Sequence, residues 1–347
     1  MLFRISSLPN ETVSKDQDLF LAFVNLIKSY GELKHLVWMG REVSKFILEN
    51  FDFNEYEKRV IQAIDDRHLE LGRFHRELEV YFEIDFDNKF RKEYDDEASC
   101  FYIGYGLVSD SSYVQATKLL VEAYFDFEMS KHAALTWIYR NKSYSNTFSC
   151  EFDFVNGGGG NLFRVYQRAV DRRDFFFCLI DGDKRHPSDS YGSTAGNVSR
   201  NLVDRDRNHQ VHIIDATEME NIIPLKILEE AIHEKGNKGV SKEMLLDMAR
   251  SEHRQYFDHK LGMKVETARK FEEGLGIYWS DSEFYDEDGE WICKGFGINI
   301  GDHCLEVMNK SSPVKNASCV CENKDSYWLF LGKLLFSWGV VFKRRVV

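Results

Sequence analysis

The stretch FFFCLIDGD, residues 175–183, constrains this chain more than any other. Its first six residues are apolar and read as a buried strand. It stops abruptly on Asp181 and Asp183, and a buried strand that ends on two carboxylates reads as a metal site at the carboxyl edge of a parallel sheet.

The sequence around this strand has a matching rhythm. From a boundary near Ser111 onward, strand and helix patterns alternate, as expected of an α/β domain with a parallel sheet. A strand over 116–121 runs into Glu122, and a helix over about 126–139 buries Met129, Ala133, Ala134, Trp137 and Ile138. A second strand over 148–155 ends on Asn156 and the glycines Gly157 to Gly160, followed by a helix carrying Leu162, Phe163, Tyr166, Ala169 and Val170. The opening stretch is the third strand. A fourth, over 210–214, leads into Thr217, Glu218, Met219, Glu220 and Asn221.

The flanking regions are less informative. From about residue 15 to 82, apolar residues recur at helical spacing (Leu19, Phe23, Leu26 and Ile27, then Tyr56, Val60, Ile61 and Ile64), which predicts a helical amino-terminal region over 1–111. Its charge alternation from Asp65 to Glu77 reads as a solvated helix face, and the pattern lapses around Asp95, Asp96 and Glu97. The catalytic-looking domain spans 112–261, helical again from Leu225 to about Lys260. Residues 262–347 form an α+β carboxyl-terminal region whose Asp281, Asp286, Glu287 and Asp288 read as a solvated loop. The apolar stretch 327–342, with Lys333 inside it, is shorter than the ~20 residues of a membrane span and reads as core, so no membrane is expected.

Charge and cysteines narrow the class. A net charge of −12 argues against coating nucleic acid by bulk electrostatics, although carboxylate-rich metal enzymes bind it through the metal and a few basic loops. The seven cysteines are odd in number and no signal peptide precedes the chain, which points to a reducing cytoplasm with free thiols. Cys319 and Cys321, with Cys293, Cys304 and His303 upstream, match no standard zinc spacing, so ordinary thiols are expected there.

Four strand ends deliver acids or glycines: Glu122 and Asp126, Gly157 to Gly160, Asp181 and Asp183, and Glu218 and Glu220. In an open parallel sheet the crevice lies outside the carboxyl ends of the strands, so these groups are expected to converge. A divalent cation relieves the resulting repulsion, and oxygen-only ligands select magnesium or manganese. Four acids suffice for one or two ions, and two ions clamp the attacking and leaving oxygens of a phosphoryl transfer. The four glycines let the backbone approach a phosphate closely.

These residues resemble the TOPRIM domain, and within it the nucleases of the OLD type, which include anti-phage effectors. LLVEAYFD supplies Glu122 and Asp126 where the family has a strand followed by Glu-Gly-x-x-Asp, with Ala123 replacing the glycine. IDGD supplies the family's Asp-x-Asp as Asp181 and Asp183, and TEMENIIP supplies Glu218, Glu220 and Asn221 of the Arg-Glu-x-Glu-Asn segment that the OLD-type members add. The resemblance covers about 115–261. It implies Mg2+- or Mn2+-dependent cleavage of DNA or RNA, with Glu122 and Asp126 at one ion, Asp181 and Asp183 shared, and Glu218 or Glu220 completing the second. A lysine later in such domains stabilises charge at the scissile phosphate; Lys260 is the candidate. The glycine pair matches within VNGGGGN, at Gly158 and Gly159. The chain lacks GxxxxGK[ST], so any nucleotide control falls to a separate ATPase or sensor protein. The alternative is a non-catalytic module of this fold that binds nucleic acid or a partner ATPase. The flanking regions are candidates for sensing or homo-oligomerisation.

The polar excursion over 184–208 is long for an ordinary connection and reads as a functional loop. Lys184, Arg185, Arg200, Arg205 and Arg207 give it a local basic surplus, expected to contact phosphates, while His186 beside Pro187 reads as an exposed loop residue.

Overall fold

The computed structural model describes residues 1–9, 16–94, 98–202, 208–282, 284 and 289–344. Several residues singled out in the sequence lie outside these: Asp95, Asp96 and Glu97, Asp204 to Arg207 including Arg205, and Asp286, Glu287 and Asp288.

The amino-terminal region is not purely helical. It holds five strands, β1 (Leu2–Ile5), β2 (Leu36–Met39), β3 (Val80–Asp85), β4 (Arg91–Tyr94) and β5 (Ser99–Gly104). They form one sheet in the order β2-β1-β3-β5-β4, parallel except for β4 against β5. The predicted helical periodicity belongs to the connecting helices Gln17–Gly31, Arg41–Asn50 and Glu55–Asp66. β2, between the first two of these helices, is a short apolar run that periodicity alone does not separate from helix.

The second sheet contains the opening stretch. Strand β6 (Lys118–Val121) is followed by β7 (Phe148–Cys150), β8 (Asp153–Asn156), β9 (Phe176–Ile180) and β10 (His209–Ile213). The sheet runs β10-β9-β6-β8 and is parallel throughout, giving an α/β fold. The single strand expected over 148–155 is two: β7 leaves this sheet to pair with β13 (Val340–Phe342). β11 (Gly262–Lys264) and β12 (Trp291–Lys294) make a separate antiparallel pair.

β9 shows why its sequence is apolar without a break. Phe176, Cys178 and Ile180 pack in one cluster with Leu120, Leu162 and Tyr166, whereas Phe177 and Leu179 join the main core on the opposite face. The period of two thus buries every residue, because both faces of the strand are covered.

The apolar carboxyl-terminal stretch is a helix, Ser326–Gly339, that leads into β13. Its Trp338 ring stands 5.6 Å from Phe82 of β3 and 5.9 Å from Phe177 of β9, so both sheets share one core across this helix. The buried amino terminus donates to the Val340 carbonyl at 2.7 Å, tying β1 to β13. Among the described residues no helix is long and apolar enough to cross a membrane.

A candidate acidic site at the sheet edge

The carboxyl ends of β6 and β9 lie side by side, which brings Glu122 and Asp181 together. Beyond β6 the chain turns into the helix Tyr124–Arg140, and Asp126 in its first turn accepts the Ala123 N–H at 2.9 Å. Asp181 accepts the Met219 N–H at 2.9 Å, which fastens the segment after β10 to the end of β9. A pocket of about 430 Å³ results, lined by Glu122, Asp126, Asp181, Glu218, Glu220 and Lys260, with Gly159 at its edge.

Gly182 sets how closely these segments approach. A Cβ there would fall 2.2 Å from the Ile214 carbonyl oxygen and 2.6 Å from that of Ala216, so any larger residue forces the strand ends apart. Asp183 lies outside the pocket lining. Its backbone is left-handed (φ 53°), and its N–H donates to the Thr217 carbonyl at 2.8 Å.

Lys260 is part of the site. Its ammonium lies 2.7 Å from a Glu218 carboxylate oxygen and 3.0 Å from one of Glu220. Asp258 turns this segment into place by accepting the Lys260 and Leu261 N–H groups at 2.9 and 2.8 Å. Asn221 does the same from the other side: it accepts the Glu218 N–H and donates to the Arg254 and Phe257 carbonyls.

Crowded carboxylates in a partly dry pocket resist ionisation. Burial raises the Asp126 carboxyl to about 6, with Glu122 adding to the effect. Burial lifts Asp181 well above the usual carboxylate range, helped by Asp126, Glu220 and Glu122. Glu220 is pushed up to about 7 by burial, against the pull of Lys260. Glu122 and Asp183 are also raised, first by burial and then by neighbouring acids. Burial disfavours the Lys260 ammonium, yet Glu220 and Glu218 more than offset this and hold it above its ordinary range.

The donor set suits a hard cation, being oxygen only, and Glu122 Oε1 is buried without a hydrogen-bond partner. Among the described residues, however, no three His, Cys, Asp or Glu side chains are grouped so as to hold a metal ion as they stand. The thiols Cys293 and Cys304 are buried, while Cys321 is exposed.

The glycine turn lies beside the acids. The Gly157 N–H donates to the Val121 carbonyl at 2.7 Å and that of Gly159 to the Glu122 carbonyl at 3.4 Å, while the Gly158 N–H is taken by the Asn156 side chain at 2.8 Å. Gly158 and Gly159 adopt positive φ, of 66° and 57°.

The expected basic strip is different. Lys184 is buried and bonded to Asp215 at 2.6 Å, and Arg185 pairs with Asp258 at 2.8 Å, so both charges are already answered within the chain. Arg200 is exposed and donates to Asn197 at 2.7 Å. His186 is buried, not exposed; one ring nitrogen faces the Gly276 carbonyl and the other accepts the Ser188 N–H.

The pocket also has a wall absent from the sequence reading. Ile298, Gly301 and Asp302, at the start of the helix Ile300–Lys310, close it from the carboxyl-terminal region. A Cβ on Gly301 would sit 2.8 Å from the Phe125 ring and 2.9 Å from Glu220 Oε1. The only sequence signal was an acid in the first turn of a helix, which is common for dipole reasons alone.

Fold and site together define an α/β protein with a lysine-bridged carboxylate cluster at the edge of a parallel sheet. Comparison with protein-family models, curated proteins and solved structures finds no match.

Proposed function

We propose that this chain is a metal-dependent nuclease of the TOPRIM kind, hydrolysing phosphodiester bonds of DNA or RNA with Mg2+ or Mn2+, in the manner of a defence effector. The observation that carries this reading is the gathering of Glu122, Asp126, Asp181, Glu218, Glu220 and Lys260, from separate strand ends, in one pocket. The resemblance in motif order supplies the reaction class. Glu122, Asp126, Asp181, Glu218 and Glu220 would hold the cation, with Asp183 beside them. When bound, such an ion supplies Lewis-acid stabilisation of phosphoryl oxygens and an activated water.

The chain's own groups fit the remaining work. Lys260 presents a cation within the pocket for charge that develops on a phosphate. Glu220, which burial raises to about 7 without a cation, would give up its proton when it takes its place as a ligand. Nucleotide control, if present, comes from a partner ATPase or sensor, since the sequence has no phosphate-binding GxxxxGK[ST] loop.

The test is incubation of purified protein with plasmid DNA and with total RNA, with and without manganese. Asp181→Ala and Glu122→Ala are expected to abolish cleavage while melting like folded proteins. Cleavage retained in both variants overturns the reading.

One observation favours a second reading, a non-catalytic module of this fold that binds nucleic acid or a partner ATPase. Lys260 already neutralises part of the cluster by pairing with Glu218 and Glu220. Calorimetry with Mg2+ and Mn2+ separates the two, because a site without metal affinity, even beside nucleic acid, supports the module.

A further inference from the structure

The helix Leu162–Asp171 begins where the acidic pocket ends. Gly159 lines the pocket, and the turn Gly159–Asn161 runs directly into the helix. One face is buried, with Leu162 and Tyr166 packed against the β9 cluster. Arg164 and Arg168 recur four residues apart on the opposite, exposed face, and Arg172, the C-cap residue, continues the row.

These charges are largely unanswered. Among the described residues, Arg164 and Arg168 have no ion pair and no side-chain hydrogen bond. Arg172 approaches Asp174 only to 3.8 Å, and Asp174 is already paired with Lys118 at 2.8 Å. Arg200 is exposed on the neighbouring helix Ser193–Arg200, which packs against this one. An uncompensated arginine row is conspicuous in a chain of net charge −12.

Helix stability accounts for part of the row, since Arg168 lies in the last turn and Arg172 is the C-cap residue, both at the negative end of the dipole where a cation is favoured. The first turn contains no acid, and Arg164 occupies its third position, at the positive end of the helix dipole. Asp171 is the last residue, at the negative end. Each placement opposes the dipole, at a cost of about 0.3–1 kcal/mol where a stabilising arrangement would reverse them. The exposure of all three and their lack of a close partner, with Arg164 placed against the dipole, point to a polyanion outside the chain.

We infer that the row Arg164, Arg168 and Arg172 is a track for the phosphate backbone of a nucleic-acid strand, leading to the acidic pocket. This rests on the nuclease reading for its direction but not for its existence. From Arg164 to Arg172 a helix advances about 12 Å at 1.5 Å per residue. That spans about three to four nucleotides of one strand at 3.4 Å each. The loop residues Lys184 and Arg185 do not serve this role, because Asp215 and Asp258 hold them.

The test measures binding of a fluorescent oligonucleotide of about 30 residues by anisotropy across a salt series, in the Asp181→Ala background so that the probe stays intact. Single-stranded DNA, duplex DNA and RNA are separate arms. Combined Arg164→Glu, Arg168→Glu and Arg172→Glu is expected to weaken binding at least tenfold in the arm that binds best. It also reduces the slope of log affinity on log salt by about 2 to 3. Combined Lys45→Glu, Lys58→Glu and Lys89→Glu, exposed lysines of the first sheet's half that change the net charge by the same amount, is the control and stays within twofold of its parent. Arg164→Glu suits the helix dipole whereas Arg168→Glu and Arg172→Glu oppose it, so melting curves verify folding. The combined Arg164→Gln, Arg168→Gln and Arg172→Gln variant, expected to weaken binding in the same arm, repeats the measurement. Unchanged affinity and slope overturn the track, as does a parent protein that binds none of the three probes, or equal loss in the triple-lysine control. If binding depends on the row while no metal gives cleavage, the track stands and the nuclease reading fails.

Discussion

Asp126→Asn tests whether the acidic pocket, chiefly by burying it, penalises an ionised carboxylate. The side chain is only 8% exposed, and its one hydrogen bond, from the Ala123 N–H, is one that an asparagine oxygen also accepts. The substitution thus removes a charge and leaves the cap. Burial, with Glu122 adding to it, raises the carboxyl from 3.8 to about 6. At about 1.36 kcal/mol for each tenfold change in proton affinity, the ionised form destabilises the fold by roughly 3 kcal/mol. Because the folded value is raised, this stability is fully present below 3.8 and is lost as pH rises through about 6. An unfolding entropy of about 2.1 cal/mol/K per residue gives about 0.7 kcal/mol/K for this chain, hence a shift of roughly 4 °C. The assay is thermal unfolding in EDTA from about pH 4 to 8. The variant is expected to melt higher near pH 8, with the gap closing on acidification. Mg2+ or Mn2+ should raise the parent's Tm more than the variant's, by mass action on the folded state. A gap that is independent of pH, or a variant that melts lower near pH 8, refutes the reasoning.

Lys260→Met removes the cation that restrains Glu218 and Glu220. It should abolish cleavage and lower the Tm in EDTA near neutral pH, with the loss fading as acid protonates Glu220; unfolding curves at two pH values check this. Gly182→Ala drives a Cβ onto the Ile214 and Ala216 carbonyl oxygens. Chemical denaturation should show a loss of about 1–3 kcal/mol or more, since two strand ends must separate. Gly301→Ala pushes against the Phe125 ring and Glu220. Cleavage assays alongside melting should show activity falling by a larger factor than stability accounts for, placing the carboxyl-terminal helix in the site.

Much of the site could be read along the chain. The β9 run is uninterrupted because both faces of a central parallel strand are covered, and that composition is a local property. The acids at successive strand ends converge because parallel strands share one carboxyl edge, so their order alone brings Glu122, Asp126, Asp181, Glu218 and Glu220 to one pocket. Lys260 was legible only through the resemblance, and its bond to Glu218 spans 42 positions.

Other features depended on partners far away in sequence. β1 (LFRI, with Arg4 inside it) and β2 (LVWM) are only four residues long, too short to show a period, and their pairing with each other and of β1 with β3 makes them strands. Lys184 and Arg185 look free in the sequence, but Asp215 and Asp258 neutralise them. The wall at Gly301 and Asp302 comes from a segment with no pattern of its own. The sequence by itself determined which residues prefer to be buried in which period, because that preference depends on each residue and its near neighbours. Only the tertiary structure decided which charges cancel and which remain exposed, because a charge is answered by whatever the fold places within a few ångströms.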